Sequence, residues 1–133
     1  MSERKHAGIG RVLVAVYAVL AMAATGRSFV QIVHRFDEAP LAYSLSAVAA
    51  VVYLVATVAL AMRGDASRTV ALAAVCFELV GVLVVGTLSL VAPELFAHDT
   101  VWSRFGMGYL FIPAVLPFLG LWWLRASRER VTA

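Results

Sequence analysis

The sequence predicts an all-α polytopic membrane protein, with four transmembrane helices packed in a compact bundle that forms a single membrane domain over residues 1–133. Hydrophobic residues make up 62% of the chain and charged residues only 14%, whereas a soluble domain has roughly 45–50% apolar and about 25% charged residues. The few charges divide the chain into four long apolar stretches. The apolar runs do not alternate with polar residues, as the strands of a membrane barrel would.

Three of the four stretches have the length of a membrane span, which needs about 20 mostly apolar residues, and the first reaches that length only if it continues past Arg27 to Val33. Arg11 to Arg27 encloses 15 uncharged residues, Glu38 to Arg63 encloses 24, and Arg104 to Arg125 encloses 20. Arg68 to Glu94 encloses 25 residues, of which only Glu78 is charged. These gaps predict spans at about 11–33, 40–62, 69–91 and 105–124.

Local signals refine the ends and the shape of the spans. Pro40 favours the first turn of the second helix. The short connection 63–68 predicts an antiparallel hairpin of the second and third helices. Pro113 and Pro117 lie four residues apart in the fourth span, and each removes a backbone donor, so we expect a kink there.

The first span has an alternative interpretation as a cleaved signal peptide. Basic residues precede its apolar run, and Ala21-Met22-Ala23 fits a small-x-small cleavage site. Against this, apolar residues continue beyond that site as far as Val33. The sequence leaves both interpretations open.

The distribution of Lys and Arg predicts the orientation, because cytoplasmic loops carry an excess of both. One side holds eight of them and the other side three, which predicts a bacterial cytoplasmic (inner) membrane protein with both termini in the cytoplasm. Trp122 and Trp123 suit the inner interface, and Trp102 and Phe105 the outer one. The basic residues are therefore expected to face lipid headgroups rather than nucleic acid. The eight are Arg4, Lys5, Arg11, Arg63, Arg68, Arg125, Arg128 and Arg130, and the three are Arg27, Arg35 and Arg104.

Glu78 is the most informative residue, because a carboxyl near mid-bilayer is costly and usually faces the helix interior with a partner. Counting the helical rise places Tyr53 at nearly the same depth, so its hydroxyl could donate to the carboxyl. Arg27 lies farther out, where two long side chains could bridge the difference. The candidate polar site is therefore Glu78, Tyr53 and Arg27. Glu78 could be protonated, because burial disfavours the charged form, or paired with Arg27.

The outer connections contain two pairs of a histidine and a carboxylate, His34 with Glu38 and Glu94 with His98. Residues four apart share one face of a helix, and such ligands suit zinc. Prolines adjoin both pairs, and the same residues would also solvate the membrane rim. We therefore predict no metal, although whether the four side chains converge stays open.

The sequence contains no motif typical of an enzyme. A phosphate-binding loop, a dinucleotide fingerprint, a zinc-protease motif and paired cysteines are all missing. We expect a non-enzymatic protein without catalytic residues or cofactors. The favoured function is an accessory or scaffold subunit, and the alternative is a small proton- or cation-coupled transporter or channel built around Glu78. Besides the lipid bilayer, the expected partners are a second copy or another membrane protein.

Two stretches carry a resemblance to known sequences: residues 36–46, FDEAPLAYSLS, and residues 77–86, FELVGVLVVG. In these stretches the chain resembles small uncharacterised four-span bacterial integral membrane proteins, over about residues 11–125. The resemblance implies a membrane location and four spans. It implies no activity and no functional residues.

Overall fold

Four α-helices and three short 3-10 turns account for most of the chain. The computed structural model describes residues 3–62, 64–96 and 100–132, and their regular structure is entirely helical. The helices are α1 (Glu3–Arg35), α2 (Pro40–Ala61), α3 (Asp65–Val91) and α4 (Ile112–Thr132), and the turns are Phe36–Glu38, Pro93–Leu95 and Ser103–Tyr109. The prediction of an all-α fold is confirmed.

The first three helices are each long and apolar enough to cross a membrane. Large apolar side chains cover their outer faces; for example, Met22 is 70% exposed and Val91 75% exposed. The interior is lined mainly by small residues, among them Ala24, Ala49 and Ala71, none of which is exposed. Small interior residues and an apolar exterior are the pattern expected of helices that pack closely in lipid.

Each helix contacts the next one in the chain, and the last contacts the first. α1 packs on α2, α2 on α3, α3 on α4, and α4 more sparsely on α1. α1 and α3 therefore lie diagonally opposite each other. A side chain that joins these two helices must cross the centre of the structure.

The region of the fourth predicted span, 105–124, is broken, and the break lies before the two prolines at which a kink is expected. The turn Ser103–Tyr109 and α4 meet at an angle of 97°, so the pair is either one broken span or a re-entrant loop followed by a helix. The break falls at Leu110 and Phe111, whose φ angles of 59° and 60° are left-handed. Pro113 therefore lies in the first turn of α4, and only Pro117 lies inside that helix.

Residues 100–111, here called the inserted segment, fold back between the helices. Val101 and Trp102 are 1% and 2% exposed. The Trp102 ring packs on Gly81, where an added Cβ would lie 2.6 Å from it, and Phe105 packs on Gly86 in the same way. Gly81 lies ten residues before the end of α3, or about 15 Å along the helix. Trp102, which is expected from the sequence at the outer interface, is therefore buried between the helices.

Two contacts join α4 to the other helices at the opposite end of the structure. The ring of Trp123 stacks on His6 with 4.6 Å between the ring centroids, and its Nε1 donates to the His6 carbonyl oxygen. Arg68 Nη2 donates to the carbonyl oxygen of Leu124 over 3.0 Å. α4 is thereby joined to the first turns of α1 and α3.

Candidate functional site

Glu78 lies at the middle of α3, thirteen residues from either end of that helix. It belongs to a buried stripe in which side chains recur every three or four residues, as one face of an α-helix requires. Its side chain has no solvent exposure. The stripe consists of Ala71, Ala74, Val75, Glu78, Val82 and Val85. The helical repeat itself therefore directs an acidic group into an apolar interior.

Tyr17 of α1 is the hydrogen-bond partner of this carboxyl. Its hydroxyl donates to Glu78 Oε1 over 2.6 Å, and neither residue is exposed. The bond joins the two diagonally placed helices through the centre. Gly120 of α4 lies beside this bond, because a Cβ at that position would make an ordinary contact of 3.5 Å with the Tyr17 hydroxyl.

The second oxygen of the carboxyl is unsatisfied. Glu78 Oε2 is buried and accepts no hydrogen bond from any of the described residues. Buried polar atoms are nearly always hydrogen-bonded, and an exception calls for a functional or structural explanation. An open acceptor in an apolar interior is a position where a proton can reside, since a protonated carboxyl carries no charge.

Tyr53 adjoins this pair but has a different hydrogen bond from the one expected. Its ring centroid lies 6.3 Å from that of Tyr17. Its hydroxyl accepts a hydrogen bond of 2.8 Å from Trp102 Nε1. The donor to Glu78 is thus Tyr17, and Tyr53 connects the site to the inserted segment.

The structure does not bring Arg27 to Glu78. Arg27 follows Tyr17 by ten residues in α1, which corresponds to about 15 Å along that helix. The side chain is half-buried at that level. Of the two alternatives for Glu78, an ion pair with Arg27 therefore does not describe this structure.

The two prolines of α4 precede Gly120, which lies beside Tyr17. Pro117 precedes Gly120 by three residues, and both prolines are fully buried. Pro113 packs on Gly106, where a Cβ would lie 2.8 Å from the proline ring. Pro113 thus supports the inserted segment, and the bend expected from the proline pair lies before it.

The outer histidines and acids do not form a metal site in the part of the chain that is described. No group of three or more His, Cys, Asp or Glu side chains comes together there. His34, Glu38 and Glu94 are all exposed. His98, the fourth member of the expected set, lies outside the described residues.

Grooves run between neighbouring helices of the described chain, and two of them do not include Glu78. One, of about 510 Å³, lies between α2 and α3 and is lined by residues such as Val58 and Val70. The other, of about 270 Å³, lies between α1 and α2 beside Phe29 and Ala50. Both are almost entirely apolar, so neither gives Glu78 a polar approach.

Sequence reasoning missed Tyr17, Trp102 and Gly81. Tyr17 could have been found, because it lies on the same helical stripe as Leu13, Leu20 and Ala24, all of which are buried. Trp102 follows an acidic connection, and nothing in the local sequence indicates that the chain turns back inward there. Gly81 carried a packing signal, but its partner is an indole ring rather than another helix.

No protein family, curated protein sequence or solved structure matches the chain.

Proposed function

We propose that the chain is a four-span integral membrane protein of the bacterial cytoplasmic membrane, with both termini in the cytoplasm. The inserted segment and α4 together form the fourth span. The excess of Lys and Arg on the side of the termini and of the α2–α3 connection supports this orientation. Trp123 and Arg68, which join the helices at that end, suit an interface with lipid headgroups.

Within this membrane domain, Glu78 binds and releases a proton as the chain carries protons across the membrane, as a small transporter or channel. The observation that carries the proposal is the open Oε2 of a fully buried carboxyl at the middle of a membrane-length helix. Ionisable residues at such positions mark proton relays and ion pathways. A proton fits the site better than a metal cation, which needs several oxygen ligands. The described surroundings of Glu78 supply the phenols of Tyr17 and Tyr53 and otherwise mainly apolar groups.

The neighbouring aromatic residues have distinct roles in this proposal. Tyr17 donates to Oε1 and so fixes the carboxyl in one orientation, which leaves Oε2 as the atom that gains and loses the proton. Tyr53 links this region to Trp102. No covalent chemistry is involved, and the protein is not an enzyme.

The test is proton flux in liposomes that contain the purified full-length chain. A potassium gradient with valinomycin drives protons inward, and an internal pH dye reports the flux. Glu78→Gln keeps the size and polarity of the side chain but cannot ionise, so we expect at least a tenfold loss of flux. Glu94→Gln is the matched control, because it alters an exposed carboxyl. Equal flux through wild type and Glu78→Gln contradicts the proposal.

The second candidate is an accessory or scaffold subunit that acts together with another membrane protein. It is favoured because the Glu78 side chain does not reach solvent in the described part of the chain: Glu78 is not exposed, and neither the α2–α3 groove nor the α1–α2 groove includes it. In that case the Tyr17–Glu78 bond only fixes the register of α1 and α3. Affinity purification from native membranes tests this candidate. A partner recovered in stoichiometric amount, together with no flux in liposomes, supports it.

A further inference from the structure

We propose that the inserted segment is a movable plug that closes the outer approach to Glu78. The inference rests on the proposed function, because a plug has a purpose only where the carboxyl exchanges protons with water. It goes further in naming the element that controls this exchange. Four features of the segment carry it: its position, its attachments, its backbone conformation and the space it fills.

The segment lies directly on the outer side of the carboxyl. Trp102 packs on Gly81, three residues beyond Glu78 on α3, which corresponds to about 4.5 Å along the helix. Phe105 packs on Gly86, five residues farther out. The two rings thus lie in succession along α3, between Glu78 and the outer end of that helix. A proton moving from Glu78 to the outer side must pass them.

The segment is attached to the helices by side-chain hydroxyls. Trp102 Nε1 donates to the Tyr53 hydroxyl over 2.8 Å, and the Val101 amide donates to Ser46 Oγ over 3.3 Å. The Arg104 amide donates to Ser89 Oγ over 2.8 Å. Breaking these three bonds disturbs no helical backbone hydrogen bond of α2 or α3. The segment can therefore detach while both helices remain intact.

Left-handed backbone occurs at two places, one inside the segment and one at its junction with α4. Arg104 and Phe105 have φ angles of 53° and 60°, and Leu110 and Phe111 have 59° and 60°. L-residues rarely adopt this region, and strained positions persist only where their surroundings enforce them. Release of the ring contacts would remove that enforcement. The two strained pairs are therefore the hinges at which the segment moves.

Removal of the segment would leave a space lined by polar groups. Irregular backbone at membrane depth is tolerated only where it is buried in protein or lines an aqueous cavity. The vacated space would expose the hydroxyls of Ser46, Tyr53 and Ser89, which now accept hydrogen bonds from the segment. Water entering from the outer side would then reach Glu78 past the hydroxyl of Tyr53.

The test measures access to Glu78 and does not depend on transport. Purified protein in lipid nanodiscs is treated with a water-soluble carbodiimide and an amine, and labelling of each carboxyl is followed by mass spectrometry of peptides. Exposed Glu94 serves as the internal standard for reagent dose. Trp102→Ala removes the ring and its hydrogen bond, and we expect Glu78 to be labelled at least tenfold faster. Trp122→Ala on the exposed face of α4 is the control and should leave the rate unchanged.

A disulfide tether provides the decisive variant. Ser89→Cys and Arg104→Cys are introduced together in a Cys76→Ala background, because the Ser89 Oγ and the Arg104 amide are 2.8 Å apart. Oxidation should lower Glu78 labelling at least tenfold relative to the same protein after reduction. Equal rates in the oxidised and reduced protein overturn the plug, whatever Trp102→Ala does. Loss of flux in Glu78→Gln liposomes is a separate result, so failure of the plug and failure of the transport proposal are distinguishable.

Discussion

The α2–α3 pair and the inserted segment satisfy their backbones in different ways. α2 and α3 are continuous helices of 22 and 27 residues, whose backbone hydrogen bonds are internal. The inserted segment places four non-glycine residues at positive φ, and two of its backbone amides donate to side chains of the neighbouring helices. Non-helical backbone at membrane depth must be buried in protein or line a cavity. The regular pair therefore supplies the partners and the space without which the irregular segment could not lie there.

The space is supplied by two glycines of α3. Gly81 and Gly86 leave hollows that the rings of Trp102 and Phe105 fill. A glycine inside a helix weakens that helix relative to alanine by roughly 0.5–1 kcal/mol. Close ring packing at both hollows offsets this cost. We therefore expect that a side chain added at either glycine destabilises the protein, whereas one added at a glycine with no ring nearby does not.

The largest expected effect comes from removing the ring that anchors the segment. Trp102→Ala should lower the free energy of unfolding by about 3–5 kcal/mol, the cost typical of emptying a buried aromatic position. The measurement is an SDS titration in mixed micelles, followed by circular dichroism. Trp122→Ala, at a residue that is 48% exposed, should change stability by less than about 0.5 kcal/mol. If both variants lose the same free energy of unfolding, the burial of the Trp102 ring does not stabilise the protein.

Filling a hollow should be the next most damaging change. In Gly81→Ala the new Cβ would lie 2.6 Å from the Trp102 ring, so we expect a loss of about 1–3 kcal/mol from overpacking. Gly8→Ala is the matched control in α1, because no atom lies within 4 Å of the added Cβ. That variant should gain roughly 0.5–1 kcal/mol in the same titration. A loss of the same size at Gly8 would show that neighbouring rings do not explain the effect at Gly81.

The hydrogen bond across the centre should contribute less than the ring packing. Interhelical hydrogen bonds in membranes average about 0.6 kcal/mol, with a maximum near 1.7. A double-mutant cycle with Tyr17→Phe and Glu78→Gln should give a coupling free energy in that range. Zero coupling between the two positions would mean that the bond does not join α1 to α3 in the membrane.

The smallest expected effect is a stabilisation at the strained end of the segment. Leu110 has a φ of 59° and is 83% exposed, so its side chain contributes little packing. Glycine adopts this conformation without the penalty of roughly 1–2 kcal/mol that L-residues incur, so Leu110→Gly should stabilise the protein by about 1 kcal/mol. Leu54→Gly in the middle of α2, at a residue that is 46% exposed, should destabilise it by a similar amount. If Leu110→Gly also destabilises the protein, the backbone there is not strained.

Sequence reasoning succeeded where one helix decides the outcome. α2 begins at Pro40 and α3 ends at Val91, as predicted for the second and third spans. The buried position of Glu78 follows from the same helical repeat. The partner of Glu78 was predicted to be Tyr53, because depth was counted along separate helices. Depth alone does not say which of two tyrosines faces the carboxyl, and here Tyr17 donates the hydrogen bond.

Composition and charge spacing thus determined the all-helical class, the long apolar helices and the single acidic residue buried among them, because each depends on the transfer of groups out of water. Tertiary structure alone decided the break before Pro113, the burial of Trp102 and the choice of Tyr17 over Tyr53. These features depend on contacts between helices distant in the chain, such as Gly81 with Trp102. The physical reason is that the hydropathy of each residue can be read from the sequence alone. The packing of a ring against a glycine depends on the relative positions of two residues that are distant in the chain.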